Sequence, residues 1–217
     1  MPTTTKRPAA VKGRVYAGLS APERRADRRE RLLEAGLELF GTAGFNKTTI
    51  PMLCSASGVT ARHFYEEFES REALLRTLYD HIADTVFGRV MTALRQTDKD
   101  VRERIRDGNA AYFRYLTSDA RLAQIYTIEA VGMHAELEQH RRVKREAFVK
   151  KLTKAAQQLD DRGVDSRLLS AALAGAAHDL LLEWVLATRR PSIERMVDTV
   201  TTLWMRTLQL DRDPGPA

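Results

Sequence analysis

The chain has 217 residues, of which 43% are apolar and 29% charged, a globular composition far from the weakly apolar, highly charged kind that stays disordered. One cysteine, Cys54, excludes an internal disulfide and any multi-cysteine metal centre. The longest uncharged stretch of the apolar C-terminal part, Leu168 to His178, falls short of the roughly 20 residues of a membrane helix, and no secretory signal pattern opens the chain, so a cytoplasmic protein with no membrane partner is expected.

The net charge of +6 is concentrated, because residues 1–31 hold nine Lys or Arg against three acids while the remainder is balanced. That is the footprint of a chain that meets a polyanion. Residues 1–19, with Pro2, Pro8, Gly13 and Gly18, read as a basic flexible arm. Ser20, Pro22 and Glu23 form a capping box that starts a helix, with Leu33, Leu37 and Phe40 as its core stripe and Gly44 at its end. A short helix follows, capped by Thr48 or Thr49, carrying Pro51 in its first turn and turning Leu53 and Ala56 inward until Gly58 breaks it. Thr60 caps a second short helix through His63, Phe64 and Tyr65, and Phe68 closes an apolar cluster with Leu53 and Phe64. Ser70 then caps a long helix whose Leu74, Leu75, Leu78, Ile82, Val86, Val90 and Leu94 recur every three or four residues. Further helices are expected at 101–116, 120–131, 137–159, 166–188 and 193–210, followed by a frayed tail, 211–217. No alternating strand pattern competes, so the fold class is all-α.

Two short helices joined by a glycine turn make a helix-turn-helix, with Gly58 supplying the positive φ of the sharp turn. The second helix, about 10 Å long at 1.5 Å per residue, suits the major groove of DNA and displays Arg62, His63 and Tyr65.

The residues from Arg28 to Leu75 resemble the DNA-binding domain of TetR-type transcriptional regulators. The resemblance rests on Phe40, Gly44 and Phe45, the pair Thr48 and Thr49, Gly58-Val59-Thr60 in the turn, Phe64, Tyr65 and Phe68, and the run Ser70 to Leu75. It departs from the usual pattern at Met52, Leu53 and Cys54, and at Arg62 and His63 on the reading surface. The resemblance implies a helix-turn-helix domain at 20–70 and a ligand-binding, dimerising helical bundle at 71–210. It implies that Thr49, Tyr65 and Arg71 touch phosphates, that Thr60 and Arg62 lie near base edges, with Ala61 and His63 beside them, and that Lys47 approaches the DNA backbone. Hydroxyls, a phenol and cations suit phosphates, and arginine can grip guanine with two donors.

The bundle carries no evident catalytic set, so the chain is not expected to be an enzyme. Met133, His134, Glu136 and His140 suggest a metal site, but His134 and His140 are six apart and face different sides of a helix, so no metal or cofactor is expected beyond an unidentified small-molecule effector. Candidate effector contacts are Phe87, Tyr112, Phe113, Tyr115, Tyr126, Phe148, His178 and Trp184, with His178 foremost because it interrupts an Ala-rich apolar face. That face, Ala171 to Ala177 with Gly175, and the apolar side of the last helix are expected to build a homodimer that spaces two recognition helices on a pseudo-palindromic double-stranded operator. The reading is a repressor released by its effector. Its rivals are a ligand-carrying or enzymatic bundle with an incidental basic tail, and a nucleoid-type protein that binds DNA by charge alone.

Overall fold

The structure, a computed structural model, describes residues 20–131, 135–157 and 166–207. The basic arm at 1–19 and the tail at 211–217 lie outside them, as do Met133, His134 and the end of the last expected helix. Among the described residues every regular element is helical: α1 Ala21–Thr42, α2 Ile50–Ser57, α3 Ala61–Glu67, α4 Arg71–Leu94, α5 Val101–Thr117, α6 Ala120–Gln124, α7 Ala135–Gln157, α8 Ser166–Leu186 and α9 Ile193–Thr207. A 3-10 turn, Phe45–Lys47, links α1 to α2, and α6 runs on as a single π turn, Ile125–Glu129.

Local side-chain chemistry starts these helices where expected. Ser20 and Glu23 close a reciprocal capping box, and Thr49, Thr60 and Ser70 each accept the backbone N–H of the third helical residue. Asp100 and Glu103 form a second box at α5. Arg104 donates to the Leu94 carbonyl from Nε at 2.9 Å, satisfying an end group of α4 beside that box.

The expected stripe of α1 needs correction. Its buried face is Leu32, Ala35, Gly36 and Phe40, with Leu33 and Leu37 half-buried at the margin. Gly36 is there because a Cβ would come within 3.0 Å of the Leu78 side chain, so α1 and α4 approach closely. Ala56 is exposed rather than inward, and Ser57 and Val59 are buried in its place, because the turn at Gly58 redirects the chain one residue later. The α1 helix ends at Thr42, before Gly44, whose φ of 87° opens the 3-10 turn with an extended ψ.

Phe40, Phe45, Leu53 and Phe64 are fully buried in the small N-terminal unit, with Leu74 and Leu75 of α4 beneath them. Helix α4 then runs into the larger unit, where it lies along α5 and touches α7; α5 packs on α9, and α8 on both α7 and α9. By length and composition α8 could cross a membrane, with a mean hydropathy of 1.3 over its best window. The eleven-residue uncharged stretch had excluded this, since a window average tolerates Asp179 and Glu183 where an unbroken run does not. In the structure Leu173, Ala177, Leu181 and Trp184 of α8 are buried in the shared core.

Candidate functional site

Gly58 adopts the left-handed conformation, φ 63° and ψ 29°, and turns the chain between α2 and α3. Arg31 of α1 donates to the Ser57 carbonyl at 2.7 Å, fixing that turn from behind. Phe64 anchors α3 in the core, which forces its neighbours outward: the Arg62 side chain is 87% exposed and Tyr65 is 59% exposed. Arg62 reaches only Glu66, one turn along the same helix, at 3.2 Å. An exposed pair of this kind contributes little and yields readily to a stronger partner. Tyr65 stands edge-on to Phe64, and its placement at the surface presents the phenol to solvent.

Thr49, Thr60, Ala61 and Lys47 are exposed, at the starts of α2 and α3 and in the turn between α1 and α2. The Thr60 hydroxyl also lies 3.1 Å from His63 Nδ1, so His63 is held half-exposed against its own cap. Arg71 is placed differently from the expectation of a phosphate contact. Its guanidinium is half-buried over the Phe45 ring, 4.6 Å from the centroid, and donates to the carbonyls of Thr48 and Phe45. It ties the start of α4 to the link before α2.

The charges of α1 are likewise spent within the fold. Arg25 pairs with Glu67 at 3.1 Å, Arg28 approaches the same carboxylate, and Arg29 donates to the Glu67 carbonyl while covering Phe68. These cations stabilise the C-terminal end of α3, where backbone carbonyls have no helical partner. The basic footprint seen in residues 1–31 therefore belongs to the arm more than to α1.

The larger unit encloses a cavity of about 1210 Å³ between α4, α5, α7 and α8, reaching α9. Of the expected effector contacts, Phe87, Tyr112, Tyr126, Phe148 and His178 line it. Phe87 and Phe148 stack at 4.0 Å. Tyr115 does not: its ring lies beneath the Arg89 guanidinium. Trp184 also fails to line the cavity and is buried under Arg190, while Trp204 of α9 is on the wall. Phe113 is core.

Sequence reasoning missed Tyr79, Arg141 and Arg145. The signal was present, because Leu137, Arg141, Arg145, Phe148 and Leu152 fall at helical spacing on one stripe of α7, so two arginines interrupt an apolar face. Part of the small-residue face expected to build the dimer turns inward instead, while Ala172 and Ala176 stay off the cavity wall. Ala171, Ala174 and Gly175 line the cavity, and a Cβ on Gly175 would meet the Arg145 guanidinium at 3.4 Å. The small side of α8 is an inner surface because Arg145 occupies the space that larger side chains would fill. Among the described residues no cluster of metal-ligating side chains occurs, and His140 instead pairs with Asp80 at 2.6 Å.

The cavity and the small unit are joined through the π turn. Tyr126 lines the cavity, and Glu129, on the same turn, accepts the Phe45 backbone N–H at 2.8 Å. Beside it, Arg121 bridges Glu38 of α1 and Asp119, each at 2.5 Å, and both carboxylates hold its guanidinium firmly charged.

A helix-turn-helix unit keyed to a hollow helical body defines a two-part, all-helical architecture. Residues 32–78 match the family model described as bacterial regulatory proteins, tetR family. It is 33% identical over 97 residues, 44% of its length, to the HTH-type transcriptional activator FasR of Mycolicibacterium smegmatis. The chain spans only 25% and 43% of the lengths of the curated relatives it matches. In fold it is similar to the fatty acid degradation regulator FadR of Bacillus halodurans, with a TM-score of 0.74, 17% identity, and 82% and 94% of the two chains covered. It is also similar to FadR of Bacillus subtilis in complex with stearoyl-CoA, with a TM-score of 0.73, 17% identity, and 81% and 96% covered.

Proposed function

We propose that two copies of the chain bind a pseudo-palindromic operator through their α3 helices and that a fatty-acid-derived effector in the cavity releases the DNA, so that the protein represses. The observation that carries the DNA reading is α3 itself, a helix anchored by one buried phenylalanine with a cation and a phenol facing outward on its free side. Arg62 supplies two donors for a guanine edge, Tyr65 a hydroxyl for a phosphate, and Thr49, Thr60 and Lys47 flank them. Arg71 acts behind this surface, holding the link from which α2 starts.

The effector class is supported by the cavity and by two proteins of similar fold, a fatty acid degradation regulator and a FadR in complex with stearoyl-CoA. Release follows if the effector prefers a conformation in which the π turn, and with it Glu129, shifts against Phe45; it moves the equilibrium only by its difference in affinity for the two states.

The second copy is supported by the outer side of α8 and α9, where Leu168, Leu186 and Leu203 are exposed. Ala172 and Ala176, which do not line the cavity, belong to the same outer side of α8. A two-fold interface there spaces the two α3 helices for successive major grooves.

The experiment is selection of bound fragments from sheared genomic DNA, with sedimentation of the protein alone and on the selected site. Shared inverted repeats bound by two copies support the reading. Fragments without a common sequence show binding by charge alone, and no retained DNA removes the regulatory reading.

A further inference from the structure

Resting on the effector reading above, we infer that the end of the cavity nearest the small unit binds an acyl oxygen at the head of a long alkyl chain, with Tyr112 and Arg141 as donors. The alkyl chain then lies along α4 toward Leu94.

Two buried donors on the cavity wall lack acceptors. The Tyr112 hydroxyl is one, on a residue only 7% exposed, near the Tyr126 phenol without completing a hydrogen bond to it, and the Arg141 Nε–H is the other, although Nη1 of the same guanidinium reaches Glu138 at 2.7 Å and the Tyr79 phenol is close by. Buried polar groups are nearly always paired, and an orphaned donor is costly, so two among the cavity's lining residues point to an acceptor that arrives with a ligand.

Both donors belong to one aromatic cluster. The Arg141 guanidinium lies 5.6 Å from the Tyr79 ring, Tyr79 stacks on Tyr126 at 5.7 Å, and Tyr126 meets Tyr112 edge-on at 6.3 Å and His178 at 5.6 Å. Burial keeps His178 neutral more readily than usual, so the ring can donate or accept without repelling Arg141. One of the two orphaned donors is cationic, which selects an oxygen carrying negative charge or a strong carbonyl dipole.

Beyond this cluster the wall turns apolar, through Phe87, Phe148, Leu94, Ile105, Leu152 and Trp204. The stretch of α4 from Tyr79 to Leu94 is roughly 22 Å long at 1.5 Å per residue, the shape of a slot for an extended hydrocarbon. A carboxylate and a thioester carbonyl both supply the acyl oxygen.

The test is titration of the full chain with palmitate, palmitoyl-CoA, octanoate and hexadecylamine, read calorimetrically and by tryptophan fluorescence, to which Trp204 on the wall contributes beside Trp184. At least one of the two palmitoyl probes is expected to bind, and Tyr112→Phe, which keeps the ring, should weaken it about tenfold. Arg141→Gln should weaken it by at least as much, and Leu94→Trp should cost palmitoyl binding while sparing octanoate. Preference for palmitate identifies the carboxylate and preference for palmitoyl-CoA the thioester; either supports the site. If Arg141→Gln does not fold, Tyr112→Phe carries the test alone. Unchanged affinity in Tyr112→Phe, hexadecylamine binding as well as palmitate, equal losses of palmitate and octanoate in Leu94→Trp, or no binding by any probe would each overturn the inference. Operator binding by the same preparations, without ligand, is scored separately: failure there removes the regulatory reading and leaves the acyl site standing.

Discussion

The Glu129 carboxylate accepts the backbone N–H of Phe45 at 2.8 Å across 84 positions of sequence. Its other oxygen accepts Gln124 Nε2, also at 2.8 Å, so the side chain is held from both sides. Glu129 ends the π turn, whose widened ring is closed by the Ala130 N–H to the Ile125 carbonyl at 3.1 Å. A π turn places an extra residue in the helix and often marks a functional position. Here it aims Tyr126 into the cavity and Glu129 at the link between α1 and α2.

Glu129→Ala removes the acceptor of a partly buried N–H. It should lower stability by about 1–2 kcal/mol and blunt the release of operator by effector, while direct effector binding persists. Glu129→Gln, which keeps an acceptor oxygen, should recover most of both. Thermal unfolding, effector titration and operator binding with and without effector separate these quantities. Full release in Glu129→Ala would show that coupling runs elsewhere.

Gly41 permits the closest approach between α1 and α6. A Cβ there would stand 2.5 Å from Arg121 Cβ and 2.9 Å from its Cα, so Gly41→Ala forces the two helices apart. Overpacking of this kind costs about 1–3 kcal/mol, and the thermal midpoint should fall accordingly. Gly88→Ala is the control, since a Cβ at that position meets nothing within 4 Å and glycine within a helix is itself unfavourable.

Arg62 and Tyr65 should fail in different ways on DNA. Arg62→Ala should relax preference at one position of each half-site, with a loss of about 1–3 kcal/mol at the preferred base. Tyr65→Phe should weaken all sequences nearly alike, by about 0.5–1.5 kcal/mol. Competition among single-base operator variants distinguishes the profiles. An unchanged ranking with Arg62→Ala would make Arg62 a backbone contact.

Burial, with help from Arg141 and Arg145, lowers the pKa of His178 below its ordinary value of 6.5. The unfolded chain therefore takes up a proton near that pH while the folded chain stays neutral. Stability from this group is complete above about pH 6.5 and is lost as the pH falls from there through the lowered folded-state pKa. His178→Gln should flatten that part of the curve of thermal midpoint against pH. Parallel curves for the two proteins would show that His178 is not the group responsible.

What the sequence alone determined is the set of features decided within one or two helical turns. The caps at Ser20, Thr49, Thr60 and Ser70 act over three residues, and the left-handed turn at Gly58 depends on one residue's missing Cβ. The recognition helix was legible for the same reason, since a buried Phe64 between outward Arg62 and Tyr65 follows from helical spacing alone. Tertiary structure decided which of several equivalent residues face what. Tyr112 lines the cavity and Tyr115 does not, and Trp204 rather than Trp184 is on the wall, because their sides of α5, α8 and α9 are chosen by neighbours far away in sequence. Gly175 looks like a partner-facing residue until Arg145, thirty positions earlier, is seen above it. Arg71 looks like a phosphate ligand until the carbonyls of Phe45 and Thr48 are brought to it, and Glu129 has no visible role until folding carries Phe45 to its carboxylate. Each of these depends on long-range packing, which periodicity constrains to a face but does not assign to a partner.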